Sequence, residues 1–212
     1  MYKDFENANK THCNVPNVFP SISASIGNYE PQSTIWKTAI YFHAPVRMFM
    51  IFLRWKYFRG VIREDCDIIV NIVVFLNVIE NLALVGLTYW TSSENYSYHE
   101  KCFKTFIGTS LFYMLFICIL LHKYRRRPLV QKEKYSVKLK WRFFAVKVTS
   151  FALAAYFFLR HNRMCEPYVY SMFGLAEYIV VISNIAFHST TVYDIQINFI
   201  YFTKQGFTTE LF

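Results

Sequence analysis

The sequence predicts an all-α fold: a polytopic membrane bundle of five transmembrane helices, forming one domain over residues 1–212. Three features carry that expectation. Hydrophobic residues make up 54% of the chain and charged residues only 17%, and the apolar ones gather in blocks long enough to cross a hydrocarbon core of roughly 30 Å. Glycine and proline are scarce, six of each, which suits helices better than a sandwich or barrel. The four tryptophans, Trp36, Trp55, Trp90 and Trp141, all fall at the end of an apolar block, where an amphipathic ring prefers the headgroup level.

In chain order, residues 1–32 read as an irregular polar segment, punctuated by Pro16, Pro20 and Pro31 and without a helical apolar stripe. Asp4, Glu6 and Glu30 interrupt it, so no cleavable signal peptide is visible. The apolar blocks then place helices at about 35–55, 68–90, 103–123, 141–160 and 168–190. A short polar turn with His161, Asn162, Cys165 and Glu166, stopped by Pro167, precedes the last of them.

Lysine and arginine orient the bundle. Arg54, Lys56, Arg59 and Arg63 follow the first helix, and the connection between the third and fourth is the most basic stretch of the chain. Positive-inside counting puts both in the cytosol. Residues 1–34, the connection between the second and third helices and the turn before the fifth then face the lumen, and 191–212 form a cytosolic tail. The sequon at Asn9 lies on the lumenal side and predicts glycosylation there; a second, at Asn95, sits close to the membrane. The formal charge of +9 is thereby accounted for as a topology signal, so no nucleic-acid partner is expected. Cys13, Cys102 and Cys165 are lumenal, where disulfides form. No paired Cys/His spacing appears, and no metal site is expected.

Polar residues inside the apolar blocks are the candidates for function, because ionisable groups at membrane depth face protein or water. Asn184 and His188 of the fifth helix fall about 20° to either side of Glu177 at 100° per residue, so the three share one stripe. Asn77, Glu80 and Asn81 are spaced i, i+3, i+4 on the second helix, with Thr88 on the same side. The first helix adds His43 and Arg47, with Pro45 between them. Leaving Thr88 aside, the other eight predict an intramembrane polar core in which Arg47 neutralises Glu80 or Glu177. Such a core serves either a functional face or an ion-pair staple, and Lys147 is expected to snorkel to the cytosolic surface with no role. On the lumenal side, His12, Ser21, Ser23, Ser92, Ser93, His99, Glu100, His161 and Glu166 could supply acid–base groups. No phosphate loop, nucleophile elbow or zinc-protease motif is present.

Three blocks carry a resemblance: THCNVPNVFPSISASIG (11–27), LNVIENLALVGLTYWTSSENYSYHE (76–100) and RHNRMCEPYVYSMFGLAEYIVVISNIAFHST (160–190). Together they resemble the post-GPI-attachment-to-proteins factor 2 family, within the wider group of DRAM-like and fungal GPI-lipid-remodelling membrane proteins. The resemblance implies a Golgi or endoplasmic reticulum membrane protein acting on glycosylphosphatidylinositol (GPI) anchors. The implied step is reacylation of a lyso-GPI intermediate with a saturated fatty chain. GPI-anchored proteins, GPI lipid and membrane lipids are the implied partners, with no cofactor. The chain is then a possible acyltransferase; the alternatives are a non-enzymatic lipid-binding or trafficking cofactor, or a DRAM-like protein without a GPI role. Family members usually carry a further helix before the THC block, giving six, where ten residues precede Thr11 here. His43 and Arg47 keep the family spacing although the intervening residues differ. His161 with Glu166, beside a family-like block, is the expected catalytic pair, ahead of the mid-membrane Glu80 and Glu177. Cys13 and Cys165, each lumenal and each inside a block, are expected to form a disulfide.

Overall fold

A computed structural model of the protein describes residues 6–27 and 29–194. Five long helices organise it: α1 (Gln32–Val61), α2 (Asp67–Tyr89), α3 (Tyr96–Lys123), α4 (Gln131–Met164) and α5 (Val169–Ser189), with a short helix at Ile22–Ile26 and a 3-10 turn at Glu64–Cys66. No strand occurs among the described residues. The helices pack mainly as two pairs, α4 against α5 and α2 against α3, with α1 laid on α2. Four segments are both long and apolar enough to cross a membrane: Glu64–Tyr89, Tyr96–Lys123, Gln131–Met164 and Val169–Asp194. The chain is a multi-pass membrane helix bundle.

The remaining helix, α1, matches the others in length but not in composition. Its 30 residues reach about 45 Å, yet Lys37, Arg47, Arg54 and Lys56 lower its hydropathy. Arg54 is buried, while Tyr41, Phe42, Val46, Phe49 and Phe52 are exposed. An inward-turned arginine removes apolar character from the sequence without removing it from the outer surface.

Helix boundaries depart from the apolar blocks wherever charged residues are helical too. α4 begins at Gln131, ten residues before the expected start, and Trp141 therefore lies inside it rather than at its end. The Glu133 carboxylate accepts the Val130 N–H at 3.0 Å and meets Arg125 at 2.7 Å and Arg127 at 2.9 Å. A first turn that neutralises its own charges needs no apolar run. α3 begins at Tyr96, capped by Asn95, whose side chain accepts the Tyr98 N–H. Arg54 sits within α1 and not in the loop that follows. His161 lies in the last turn of α4 and not in a polar turn, since that helix runs on to Met164.

Loops that the sequence assigns to one side of the membrane do meet. At the basic end, the Arg63 N–H donates to the Tyr124 carbonyl and the Arg126 N–H to that of Val61, and Arg126 pairs with Glu64 at 3.0 Å. At the opposite end, the short helix at Ile22–Ile26 packs on α1 and α5, and Ser23 reaches His99 of α3. Between the ends, two apolar clusters bracket a polar layer. One cluster holds Ile40, Ala83, Ile107 and Val180; the other holds Tyr57, Val73, Tyr113 and Phe187. Arg47 and Arg54 on α1, Glu80 on α2, Ser110 on α3 and Asn184 on α5 fall between these positions, and His188 directly follows Phe187.

Candidate functional site

The polar layer centres on Glu80, which is fully buried on α2. One oxygen, Oε1, accepts from Arg47 Nη2 at 2.8 Å, Asn184 Nδ2 at 3.0 Å and His188 Nε2 at 2.9 Å. Arg54 Nη1 lies 2.8 Å from His188 Nδ1. A guanidinium only donates, so Nδ1 accepts and the neutral ring carries its proton on Nε2, toward Glu80. The 3.4 Å approach of Arg47 to the same Nε2 then sets two donors side by side and is no hydrogen bond. Arg54 also donates to Thr191 Oγ1 and Tyr113 Oη, and the Tyr113 ring stacks on His188 at 5.3 Å. Lys147, fully buried, donates to Asn184 Oδ1 at 2.7 Å and Ser110 Oγ at 2.5 Å. One buried carboxylate thus bonds Arg47 directly and is linked to Arg54 through His188 and to Lys147 through Asn184.

Several sequence expectations are corrected here. Lys147 does not snorkel: it is locked in the centre through Asn184. His43 is exposed on α1, because it stands about 40° round the helix from Arg47 and turns away from the layer. Glu177 shares the stripe of Asn184 and His188 but lies about 10 Å further along the helix, out of the Arg47 network. Asn77 is buried, and Asn81 donates to the Ala44 carbonyl at 3.2 Å, tying α2 to α1 beside Pro45. Arg54, Ser110 and Lys147 are the members that sequence reasoning missed. For Arg54 and Lys147 the signal was a cationic residue at membrane depth, read as a loop or snorkelling position.

The second constellation lies at the end where the N-terminal segment packs. Cys13 and Cys165 are joined by a disulfide. Beyond it, α5 presents Ser171, Gly174 and Glu177, three residues apart, as a track for residues 17–22. Ser171 Oγ–H donates to Asn17 Oδ1 and accepts the N–H groups of Val18 and Phe19 at 2.8 and 3.2 Å. At Gly174 a Cβ would stand 2.8 Å from the Phe19 carbonyl oxygen, so only glycine allows this approach. Glu177 Oε2 accepts the Ile22 N–H at 3.0 Å. The track delivers Ser23 to α3, where its Oγ lies 2.9 Å from His99 Nε2, while His99 Nδ1 lies 2.8 Å from the Trp90 carbonyl oxygen. Ser23 and His99 line a cavity of about 410 Å³ between α3, α4 and α5, with Ser21, Tyr170 and Glu177 at the same end and Phe103, Ile107, Phe151 and Phe158 in its walls. Its size is that of a small-molecule or single-chain site. Ser23 and His99 were both legible as lumenal candidates; their pairing was not, because 76 residues separate them.

His161 and Glu166, the expected pair, are not brought together. The His161 ring is fully buried, edge-on to His12 at 5.3 Å and against Tyr170 at 4.9 Å, and neither ring nitrogen has a hydrogen-bond partner. Glu166 is held by Arg160 through two hydrogen bonds, 2.6 and 3.0 Å, and that guanidinium holds its carboxyl below the usual carboxylate range. His12, Cys13 and His161 offer ligand atoms within 4.8 Å of one another, but the sulfur is committed to the disulfide, which leaves two imidazoles. Asn9 is buried, its carbonyl and side-chain oxygens 3.2 and 3.5 Å from Asn17 Nδ2; a glycan there would displace that contact.

Comparison with known proteins matches residues 1–197 to the model of the Frag1/DRAM/Sfk1/Cwh43P N-terminal domain. Over 191 residues the chain is 44% identical to Post-GPI attachment to proteins factor 2 of Drosophila pseudoobscura pseudoobscura, covering 90% of this chain and 75% of that one. It is 39% identical over 196 residues to the Caenorhabditis elegans protein of the same name, covering 90% and 74%. Over 196 residues it is 35% identical to the acyltransferase PGAP2 of Xenopus tropicalis, covering 90% and 77%. No solved structure matches.

Proposed function

This chain belongs to the Frag1/DRAM/Sfk1/Cwh43P family, and from that membership we propose that it remodels the lipid of GPI anchors by reacylating a lyso-GPI intermediate with a saturated fatty chain. The observation that carries the reading is the apolar cavity between α3, α4 and α5 with a serine–histidine pair beside it. A fatty chain lies in the cavity, and its ester carbonyl stands at the polar end, level with the headgroups. The names of the relatives, post-GPI attachment factors and an acyltransferase, support the substrate class. GPI-anchored proteins and membrane lipids are then the partners, and the Golgi or endoplasmic reticulum membrane is the place of action. α1 is the fifth transmembrane helix, its aromatic face toward lipid, and the N-terminal segment is lumenal.

Rescue of cells that lack the corresponding relative tests this. Expression of the chain should restore saturated diacyl GPI, read by mass spectrometry of the released anchors. Persistence of lyso-GPI at normal protein abundance would remove the reading.

A further inference from the structure

We propose that Ser23 is the nucleophile of this protein, activated by His99 and acylated in the course of the reaction. The inference rests on the acyl-transfer reading above and adds to it a covalent intermediate and the residue that bears it.

Three independent features of the geometry point to Ser23. The first is the fixed tautomer of its neighbour. The Trp90 carbonyl oxygen can only accept, so the proton of a neutral His99 sits on Nδ1, 2.8 Å away. Nε2 is then a lone pair, and it faces Ser23 Oγ at 2.9 Å. A serine hydroxyl, a basic imidazole nitrogen and a third group that orients the ring make up an activated nucleophile. The second is access. His99 is buried, but Ser23 is half-buried and both line the 410 Å³ cavity, so the hydroxyl opens onto a space walled by Phe103, Ile107 and Phe158. The third is support. The disulfide to the end of α4, and the Ser171 hydroxyl, the Gly174 approach and the Glu177 carboxylate on α5, hold residues 13–22 at four points. A polar segment without an apolar stripe is thereby fixed at the position that the histidine requires.

The chemistry balances as a transesterification. Ser23 Oγ attacks the carbonyl carbon of an activated fatty acyl ester, and its proton passes to His99 Nε2. The tetrahedral adduct collapses, the alcohol or thiol of the donor leaves with that proton, and the chain remains as an ester on Ser23. The free hydroxyl of the lyso-lipid then gives its proton to the same Nε2 as its oxygen attacks the Ser23 ester. Ser23 leaves and recovers the proton. No water or oxidant enters, and the apolar walls disfavour hydrolysis of the acyl-serine. An oxygen ester of a glycerophospholipid and a thioester such as acyl-coenzyme A share this chemistry as donors.

The test uses the full chain, purified in nanodiscs. A long-chain alkyl fluorophosphonate, which reacts with activated serines without needing the natural substrate, should label wild type and not Ser23→Ala, with His99→Gln labelled at least 100-fold more slowly. A radiolabelled dipalmitoyl phospholipid and palmitoyl-coenzyme A are then supplied separately without acceptor, and the one that leaves a palmitoyl group on the Ser23 peptide is the donor. Ser23→Ala should lose lyso-GPI turnover by 10²-fold or more, and Ser23→Cys should trap a hydroxylamine-labile thioester. Protein abundance and the Cys13–Cys165 disulfide report folding of each variant. Lyso-GPI turnover that survives in Ser23→Ala would overturn the nucleophile while leaving the proposed function standing, and would make the Ser23–His99 bond structural. Turnover by wild type with no acyl group on Ser23 from either donor would overturn the covalent step. Labelling of Ser23 with no turnover of lyso-GPI would do the reverse: the nucleophile stands and the GPI substrate falls.

Discussion

Glu80 has one oxygen bonded to three partners and the other, Oε2, to none. It bonds Arg47 and is linked through His188 to Arg54 and through Asn184 to Lys147. Removing its charge leaves Arg47 without its ion-pair partner and takes a counter-charge from the network that holds Arg54 and Lys147. Glu80→Gln is therefore expected to lower stability by roughly 3–5 kcal/mol, as for other buried ion pairs broken on one side. The readout is the detergent-resistant, folded fraction, with turnover per folded molecule little changed. His161 and His99 separate in the same assay. The His161 ring packs between His12 and Tyr170 and bonds to nothing, so His161→Ala should reduce abundance and spare the rate of what folds. Glu166→Gln should alter neither. Its carboxyl is held low by Arg160, so the pair contributes above the unfolded carboxylate pKa, about 4.5, and is lost only as pH falls below it. Being solvent-screened, it contributes little even then, and activity between about pH 5 and 8 should not register the change. Glu80, Asn184 and His188 were legible in the sequence as residues at membrane depth. Their partners were not, because a helical stripe fixes direction and leaves depth along the partner helix undetermined. Glu177 and His188 share a stripe and serve different ends of the molecule.

At the scale of elements, the apolar cores of α2 and α5 were legible to within a residue or so, since hydropathy marks them directly. The starts of α3 and α4 were not, because their first turns are polar and are closed by caps and buried ion pairs that no hydropathy window detects. The N-terminal segment was read as irregular, which among the described residues it largely is outside the short helix at Ile22–Ile26; its docking on α5 comes from Ser171, Gly174 and Glu177, residues whose spacing has no meaning until the partner segment is known. Gly174→Ala tests that docking. Its Cβ would stand 2.8 and 3.1 Å from two backbone carbonyl oxygens, neither of which can swing aside as a side chain would, so residues 19–20 must shift. Fluorophosphonate labelling of Ser23 should fall, while the polar layer and overall abundance stay near wild type. The disulfide works on the same element. Its cysteines are 152 residues apart, and closing so long a loop stabilises by roughly 4–5 kcal/mol in the chain-entropy model. Cys165→Ser should therefore lower folded protein markedly, and non-reducing peptide mapping should recover Cys13 linked to Cys165 in the wild type.

For the molecule as a whole, apolar burial alone does little to hold helices together in lipid, where the surroundings are as apolar as the interface. The polar layer between two apolar clusters supplies the directional contacts, with the basic loops joined at one end and the stapled segment at the other. In sealed vesicles with the cytosolic face outward, residues 6–27 should resist protease and the 124–130 loop should be cut. Function at this scale reduces to whether the chain transfers a fatty chain by itself. The direct measurement is to incubate purified protein in nanodiscs with a lyso-GPI-anchored protein and the donor that acylates Ser23, and to follow the anchor by mass spectrometry. The expected result is conversion of lyso-GPI to the saturated diacyl form, lost in Ser23→Ala and in His99→Gln. Lyso-GPI that stays unacylated before wild-type protein of native fold, with either donor present, would contradict it.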